Sequence, residues 1–422
     1  MLTRRGLMRS AFAAVAAPMF ADVPPIGQLK SRRAEARPIP NTERLARVER
    51  ARRLMRENHL DAIAVAGGSS LFYFSGIRWG LSERLFVMIV PAEGDPFFVS
   101  PAFEKDRAIE QIAGGPFPSA RILTWEEDVS PYRVVAKAFT ERHLATARIG
   151  IEEHMPFVFA DGIGKALPGG AIVTATPVTA GCRMIKSNNE LTLMRLANEI
   201  TLEAFEAAWK SLRDGMAAQE FASIIAEAHR RLGFEGEADV FVGEGAALPH
   251  GSRRPQVIRE SSIVLIDGGC RVEGYHSDIT RTFVVGKPTD KMKRVFDIVR
   301  QAQSAALAAA RPGVRCEAVD AAARQVIAAG GYGPGYRYFT HRIGHGIGLD
   351  EHEWPYLTAA NTLQKDGQSI ALAPQMTFSD EPGIYIPGEF GIRLEDDMHI
   401  LEGGAEWFTA QSASLEAPFG SR

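Results

Sequence analysis

The chain has 422 residues, of which 45% are apolar and 23% charged, as in an ordinary globular protein. Its 48 basic and 51 acidic residues give a formal net charge of −3, without the basic excess of a nucleic-acid-binding protein. These values exclude disordered and collagen-like chains, and three scattered cysteines exclude a disulfide scaffold or a zinc knuckle. At about 150 residues per domain, the length allows two or three domains.

The first residues, TRRGLMRSAFAAVAAPMFADVPP, join a positively charged segment to a short apolar run over 11–20. The run is shorter than the roughly 20 residues of a membrane span, and small residues follow it. This pattern predicts a cleavable signal peptide over 1–21, and the pair Arg4-Arg5 resembles the twin-arginine export motif. We therefore expect export to the periplasm, with a disordered basic tail as the alternative.

Residues 22–40 are rich in proline and arginine and predict a linker. After them, strand-like and helical segments alternate over 41–183, which indicates an α/β layer domain. The predicted helices are 41–56, 102–112 and 132–142, and the predicted strands are 62–66, 85–90, 96–100 and 148–151. This domain has no obvious cluster of metal-type ligands, so we expect it to serve packing or dimerisation.

A second domain is predicted over 184–415 and opens with a long helix over 188–212. Its helices and strands alternate less regularly, so the expected fold class is mixed α/β (α+β). No further stretch is apolar over the length of a membrane span. Nearly all residues that could carry chemistry fall in this domain.

The segment SSIVLIDGGCRVEGYHSDITRTFVV predicts two strands, 263–266 and 279–285, around a glycine-rich turn. A hairpin would bring Asp267 and Asp278 to paired positions on one face. Two buried carboxylates at that distance repel each other unless a cation lies between them. Exposed turns also carry such acids routinely, so this pair by itself is weak evidence for a metal.

The segment HRIGHGIGLDEHEWP places His341, His345 and His352 close together in a chain with ten histidines. The glycines between them let the backbone approach whatever the ring nitrogens bind. A single histidine would be an ordinary core residue. Three among glycines favour metal ligation or proton transfer, with packing as the alternative.

The segment FSDEPGIYIPGEFGIRLEDDMHI predicts strands over 378–380, 392–395 and 398–401, with a loop that begins at Glu381. Glu381 and Glu395 lie near strand ends among apolar residues, where an unpaired carboxylate is costly. Because acid-rich segments are usually solvated, this segment alone is only suggestive.

Together the three segments supply four carboxylates and one imidazole, in the order Asp267, Asp278, His345, Glu381 and Glu395. Such an oxygen-rich set suits two hard or borderline divalent cations that share bridging carboxylates. The ligand types exclude a zinc finger or a cysteine-rich site.

The ligand order within DGGCRVEGYHSD, GHGIG, DEPG and RLED resembles that of the pita-bread metallopeptidases. The closest likeness is to their Xaa-Pro aminopeptidase and Xaa-Pro dipeptidase (prolidase) branch. The resemblance extends from about residue 41 to the end of the chain. It implies a C-terminal pita-bread catalytic domain after a smaller N-terminal α/β creatinase-like domain.

The resemblance implies a role for each ligand. Asp267 would bind one cation, Asp278 and Glu395 would bridge both, and His345 with Glu381 would complete the second. Mn²⁺ is the expected metal, with Co²⁺ or Zn²⁺ as alternatives. A bridging water or hydroxide would attack the carbonyl before the proline nitrogen.

Five catalytic roles follow from the same resemblance. Glu381 would relay the proton of the nucleophile, and His352 would stabilise the tetrahedral oxyanion. His250, in ALPHG, and His341 match further pocket histidines of the family, and Arg393 matches its active-site arginine.

Four other positions bear on the resemblance. Tyr275 and Tyr385 are expected to line the pocket. Asp380 stands where many relatives have Ile or Val, so it either perturbs Glu381 or faces away. Tyr356 stands where some prolidases carry a basic residue, and if that residue holds a dipeptide's carboxylate, its absence argues slightly against a dedicated dipeptidase.

The activity that the resemblance implies is hydrolysis of the Xaa-Pro bond at the N-terminus of proline-containing peptides by a metal-dependent aminopeptidase. An Xaa-Pro dipeptidase is the alternative. A metal-free amidinohydrolase or a non-enzymatic binding module of the same fold is more remote, because all five ligands are present. The resemblance also implies a homodimer.

Overall fold

The computed structural model describes residues 24–360 and 369–420, so the predicted signal peptide over 1–21 lies outside the described residues. Two compact units divide the described chain. One is formed by 38–185, and the other by 186–420 together with 24–37. The predicted domain limit between 183 and 184 falls two residues before the observed division.

The stretch predicted as a linker is packed where the structure describes it. A short helix, α1, spans Pro24–Gly27, and the side chain of Ile26 is fully buried. Arg32 then forms ion pairs with Glu199 at 2.9 Å and with Glu203 at 3.3 Å. Residues 24–37 therefore belong to the second unit, because apolar burial and charge pairing attach them to it.

The N-terminal unit is a six-stranded sheet with helices. Its helices are α2 Asn41–Glu57, α3 Ser69–Ser75, α4 Lys105–Ala113, α5 Pro131–Glu141, α6 Phe157–Ala166 and α7 Thr176–Arg183. Its strands are β1 Ala62–Ala66, β2 Val87–Pro91, β3 Phe97–Pro101, β4 Ile122–Trp125, β5 Arg148–Ile151 and β6 Ala171–Thr174. The strand order is β4-β3-β2-β1-β5-β6, so the fully buried β1 lies inside the sheet, and helix α5 contributes Val135 and Phe139 to the core.

Predicted and observed boundaries in this unit differ by a few residues. The helix predicted over 102–112 is a 3₁₀ turn over Ala102–Glu104 followed by α4. A tight first turn of this kind is common at helix ends and is not visible in the hydrophobic period. The strand predicted over 85–90 begins at Val87, although Leu85 is equally buried.

The second unit holds longer helices and shorter strands. Its helices are α8 Asn188–Trp209, α9 Ala218–Leu232, α10 Asp290–Ala309 and α11 Cys316–Ile327. Its strands are β7 Glu235–Val242, β8 Ile263–Val272, β9 Tyr275–His276, β10 Ile279–Val284, β11 His345–Gly346, β12 Glu353–Tyr356, β13 Thr377–Asp380, β14 Gly383–Ile386, β15 Phe390–Arg393, β16 Asp396–Ile400 and β17 Ala405–Trp407.

Three sheets position the candidate site. The first has the order β10-β8-β7 with β9 paired to β8, the second has the order β12-β11-β13-β16-β17, and β14 pairs with β15 alone. All these neighbouring strands pair antiparallel, so short turns and strand ends meet at the sheet edges.

Helix α8 begins at a complete capping box. The Ser187 hydroxyl accepts the Glu190 backbone N–H at 3.2 Å, and the Glu190 carboxylate accepts the Ser187 N–H at 2.8 Å. The helix ends at Trp209, three residues before the predicted end, because turn hydrogen bonds replace the helical ladder there. Within the described residues, no helix combines the length and apolar character needed to cross a membrane.

Candidate metal centre

The hairpin of β8 and β10 supplies two carboxylates, but not at paired positions. Asp267 on β8 pairs with Thr280, and Asp278 lies two residues before Thr280. The three side chains still converge, because Thr280 contacts Asp267 and the ligand atoms of Asp267 and Asp278 lie within 4.8 Å of each other. The predicted proximity of the two acids is therefore found with a different register, in which a threonine stands opposite Asp267.

Thr280 joins carboxylates from two sheets. Its Oγ1 lies 2.6 Å from Asp267 Oδ1 and 2.6 Å from Glu395 Oε2, and it accepts Arg393 Nε–H at 3.0 Å. A hydroxyl has one hydrogen, so without a cation one of the two carboxyl groups must supply its own proton to complete both contacts.

His345 presents a lone pair to the carboxylates. Its Nδ1 lies 3.1 Å from the carbonyl oxygen of Gly346, which only accepts, so Nδ1 carries the hydrogen. The Nε2 lone pair then faces Glu381 Oε1 at 3.4 Å and Asp278 Oδ2 at 3.8 Å. Acceptor atoms that face one another in a buried site repel, and a cation between them removes the repulsion.

Close backbone packing fixes this histidine. A Cβ atom on Gly344 would lie 2.1 Å from the carbonyl oxygen of Ser379 on β13, so only glycine fits beside that strand. The Glu381 N–H donates to the carbonyl oxygen of Ile343 at 2.8 Å, which holds the two ligand segments together.

Among the residues that the structure describes, three overlapping groups have possible ligand atoms within 4.8 Å of one another. They are Asp267–Asp278–Glu395, His345–Glu381–Glu395 and Asp278–His345–His352. The first two share Glu395, and together they contain all five predicted metal ligands. Four carboxyl groups against the two guanidinium groups of Arg393 and Arg342 leave an acidic excess that fits divalent cations.

The pKa values of these groups show the cost of the site without cations. Burial raises the pKa of Asp278 and of Glu395 well above the usual range, and neighbouring carboxylates raise both further. Burial also raises the pKa of Glu381 to about 7. For His345, burial lowers the pKa well below its usual value and favours the neutral, ligating form.

The candidate catalytic residues His341 and Arg393 belong to one hydrogen-bond chain. His341 Nδ1 donates to the carbonyl oxygen of Arg342 at 2.8 Å, so its Nε2 accepts the Tyr385 hydroxyl at 2.7 Å. Tyr385 in turn accepts Arg393 Nη1–H at 3.0 Å, and Arg393 Nη2 donates to Asp267. Burial lowers the pKa of His341 to about 3, so this ring is neutral.

The loop that carries His341 is attached to helix α11. Arg324 donates to the carbonyl oxygens of Phe339, at 2.9 Å, and of His341. Asp320, one turn earlier, accepts the Ile343 N–H at 2.8 Å and pairs with Arg324 at 2.6 Å. Two side chains of one helix thus fix the loop at both sides of Arg342.

His352 and His250 are exposed and line the cavity beside the ligands. The His352 ring centroid lies 3.9 Å from that of His345. The loop before His352 is held by a buried ion pair of 2.7 Å between Lys186 and Glu353, whose side chains are 1% and 6% exposed. A Cβ on Gly348 would lie 2.5 Å from the Glu353 carboxylate, so the pair packs against bare backbone.

Two cavities meet at the ligands. The site cavity, of about 690 Å³, is lined by Pro249, His250, Asp267, Asp278, His341, Arg342, His345, Glu351, His352, Thr358, Ala360, Glu381, Arg393 and Glu395. The second, an acidic cleft of about 550 Å³, adds Glu235, Glu237 and Asp239 and shares Asp267, Asp278 and Glu351. All nine predicted site residues line the site cavity.

The two tyrosines expected in the pocket lie elsewhere. Tyr275 is buried and donates its hydroxyl to Glu190 at 2.8 Å, so its predicted place on the cavity wall is wrong. Tyr385 lies behind the wall, where it bonds to His341 and Arg393. Both rings carry a hydroxyl that a buried partner satisfies, which sequence alone does not locate.

Asp380 faces away from the ligands. Its Oδ2 accepts the Trp407 indole N–H at 3.0 Å, and burial raises its pKa well above the usual range. Behind Asp278, Asp397 was not predicted: it accepts the Asp278 N–H at 3.0 Å and the Asn198 amide at 2.9 Å. Thr280 was also missed, although its spacing of two from Asp278 could have indicated it.

We expect the chelated protein to lose thermal stability between about pH 7 and pH 8.5. Glu381, with a pKa of about 7, and Asp397, with a pKa of about 8, lie above their unfolded values, so folding favours their protonated forms. That stability is present at low pH and is lost as the pH rises through the folded values. His341 acts oppositely only below about pH 6.5, its unfolded value.

Calorimetric melting with a chelator, and again with Mn²⁺, measures this prediction. Bound cations replace protons on the ligands and so reduce the loss of thermal stability. Asp397, which is not a predicted ligand, still contributes part of that loss. A chelated melting temperature that stays constant over this range, or an unchanged slope with Mn²⁺, contradicts it.

The chain matches the family described as metallopeptidase family M24 over residues 192–402 and the creatinase/prolidase N-terminal domain over 47–185. A Mycobacterium tuberculosis protein named "Probable dipeptidase PepE" is 37% identical over 349 residues, covering 82% of this chain and 89% of that protein. The Xaa-Pro dipeptidase of Lactobacillus delbrueckii is 29% identical over 378 residues, covering 86% and 96%. The crystal structure of dipeptidase PepE from Mycobacterium ulcerans superimposes with a TM-score of 0.82 at 32% identity, covering 90% and 99%.

Proposed function

The chain belongs to metallopeptidase family M24, and we propose that it is an Xaa-Pro dipeptidase that works with two divalent cations. Family membership confirms the predicted pita-bread fold, the creatinase-like N-terminal domain and a hydrolase activity on peptides. The observation that carries the proposal is the convergence of five ligand side chains whose acceptor atoms face one another. The names of the relatives favour the dipeptidase, which was the alternative in the sequence analysis, over the aminopeptidase.

The cations would be held as the sequence predicts. Asp267, Asp278 and Glu395 form one group, and His345, Glu381 and Glu395 form the other. Divalent cations bound there supply Lewis acidity and a water of lowered pKa. Mn²⁺ is our expected metal, with Co²⁺ or Zn²⁺ as alternatives, since the oxygen-rich set accepts all three.

The protein's own groups complete the proposed site. The Glu381 carboxylate lies 3.4 Å from the His345 ring and 3.6 Å from the His341 ring, which supports our assignment of Glu381 as the proton acceptor. His352 is the exposed imidazole next to them and is our candidate donor to the developing oxyanion. Arg393 is held by Thr280 and other partners beside Asp267 and Glu395, where its charge offsets theirs.

Charge in the two cavities suits a small zwitterion. The acidic cleft offers carboxylates to a substrate's ammonium group, among them Glu237 and Asp239. The site cavity carries the cationic side chain of Arg342. A tertiary Xaa-Pro amide has no N–H for the protein to read, so recognition must rest on the two charged ends and the carbonyl.

The test compares an Xaa-Pro dipeptide with the matching Xaa-Pro-Yaa tripeptide, using Mn²⁺-loaded protein with and without chelator. We expect chelator-sensitive cleavage of the dipeptide, with kcat/KM at least about tenfold above the tripeptide, the effect of one lost charged contact of about 1.5 kcal/mol. Equal or better cleavage of the tripeptide would establish the aminopeptidase instead. No cleavage of either by protein that contains metal would overturn the peptidase proposal.

Export to the periplasm through residues 1–21 and assembly into a homodimer are part of the same proposal. They rest on the sequence pattern and on the resemblance. Detection of the mature protein in a periplasmic fraction, and its mass in solution, test them separately.

A further inference from the structure

Arg342 is a half-buried arginine on the wall of the site cavity. It lies between His341 and Ile343, the two positions that helix α11 fixes through Arg324 and Asp320. Its guanidinium carbon stands 4.4 Å from the ring centroid of Tyr356, so the planar group lies over an aromatic face. The backbone on each side and the ring beneath therefore define where the guanidinium points.

Arg342 keeps its donors free for a ligand. Across 24–360 and 369–420, no ion pair or side-chain hydrogen bond engages its guanidinium. The other arginine of the cavity contrasts with it, because Arg393 donates to Asp267, Thr280, Tyr385 and the carbonyl of Pro249. The donors of Arg393 are thus occupied by groups of the protein, whereas those of Arg342 are available to a ligand.

A stacked guanidinium with free donors matches a planar anion. Its fork of N–H groups binds a carboxylate through two parallel hydrogen bonds, and stacking leaves that edge open. A dipeptide that ends at proline carries such a carboxylate next to the scissile bond. In a longer peptide the same position is a neutral amide followed by more chain.

We infer that Arg342, supported on the ring of Tyr356, binds the free α-carboxylate of the substrate and makes the enzyme selective for dipeptides. The inference rests on the proposed function and names the residue that would confer its length preference. The tyrosine that stands in place of a basic residue serves as the platform for a basic residue from the neighbouring loop.

The experiment pairs two substrates that differ only in the end charge: an Xaa-Pro dipeptide and the corresponding Xaa-Pro amide. Arg342→Met removes the guanidinium and keeps an unbranched side chain, and Arg342→Lys restores a charge without the fork. We expect Arg342→Met to lower kcat/KM for the dipeptide by about 10- to 100-fold, mainly through KM, and to leave the amide within about twofold. Arg342→Lys should recover part of the loss.

Arg337→Met is the matched control. Arg337 also lies over a tyrosine ring, that of Tyr338 at 5.2 Å, but it is exposed and absent from the cavity lining. We expect this variant to cleave both substrates like the unaltered enzyme. Metal content and melting temperature of every variant show whether the site remains intact.

The outcomes separate the two proposals. If the unaltered, metal-loaded enzyme cleaves neither substrate, the proposed function fails. If it cleaves the dipeptide and Arg342→Met lowers both substrates equally, or neither, the function stands and the carboxylate assignment is overturned. If Arg337→Met produces the same selective loss, the effect belongs to the loop and not to Arg342.

Discussion

In the Glu395→Gln variant we expect kcat/KM for an Xaa-Pro dipeptide to fall by about 1,000-fold or more. Glu395 is the ligand that both candidate cation groups share, so one amide in place of one carboxylate weakens both. A cation contributes several kcal/mol of transition-state stabilisation, and each 1.36 kcal/mol is a factor of ten. Asp278→Ala, which removes the other predicted bridging ligand, should have a similar effect.

Kinetics with saturating Mn²⁺ and elemental analysis of the purified protein measure this prediction together. Glu389→Gln is the matched control, because Glu389 is an exposed glutamate that pairs with Lys291 and lies outside the site cavity. It should retain full activity and metal. Near-normal dipeptide hydrolysis by Glu395→Gln with metal supplied would contradict the two-cation assignment.

The Lys186→Met variant should unfold with about 3–5 kcal/mol less free energy than the unaltered protein. Lys186 and Glu353 are both buried, and removing Lys186 takes away the cation that pairs with the buried carboxylate. The Glu353 carboxylate also accepts the Asp350 N–H at 3.3 Å, so its relaxation would disturb the loop before His352. Denaturant unfolding measures the loss, and kcat reports the disturbance.

A double variant and a surface pair keep this prediction testable. Lys186→Met with Glu353→Gln removes both charges and should recover a large part of the lost free energy. Lys210→Met breaks a pair with Glu206 that has the same 2.7 Å separation but is half exposed, and it should cost less than about 1 kcal/mol. Equal losses in the Lys186 and Lys210 variants would contradict the role of burial.

The members of the candidate site could be predicted because residue type and order carry that information. Four carboxylates and a histidine in glycine-rich segments are costly to bury without a cation, and the structure brings all of them to one cavity. The register could not be predicted. The alternation of side chains along a strand shows which residues share a face, but not which residue of the neighbouring strand lies opposite each of them. Thr280 was therefore missed as the residue opposite Asp267.

Contacts between residues far apart in the chain could also not be predicted from the sequence. Lys186 and Glu353 are 167 positions apart, and nothing local in either segment indicates the other. The placing of Tyr275 failed for the same reason, because its partner Glu190 belongs to a distant helix cap. In the N-terminal unit, β1 and β5 were predicted with their observed limits, since short and mainly apolar runs need no partner to be recognised.

Helix α11 gives this fold a way to adjust its chemistry from a distance. Asp320 and Arg324 hold the backbone on both sides of Arg342, so the placing of His341 and Arg342 depends on that of the helix. A change in the packing of α11 against α10 would therefore shift a neutral histidine and a charged arginine together relative to the immobile ligand strands. Under the proposed function, substrate-length preference and catalysis would both depend on where this helix lies, so substitutions in a helix that lines neither cavity could change both.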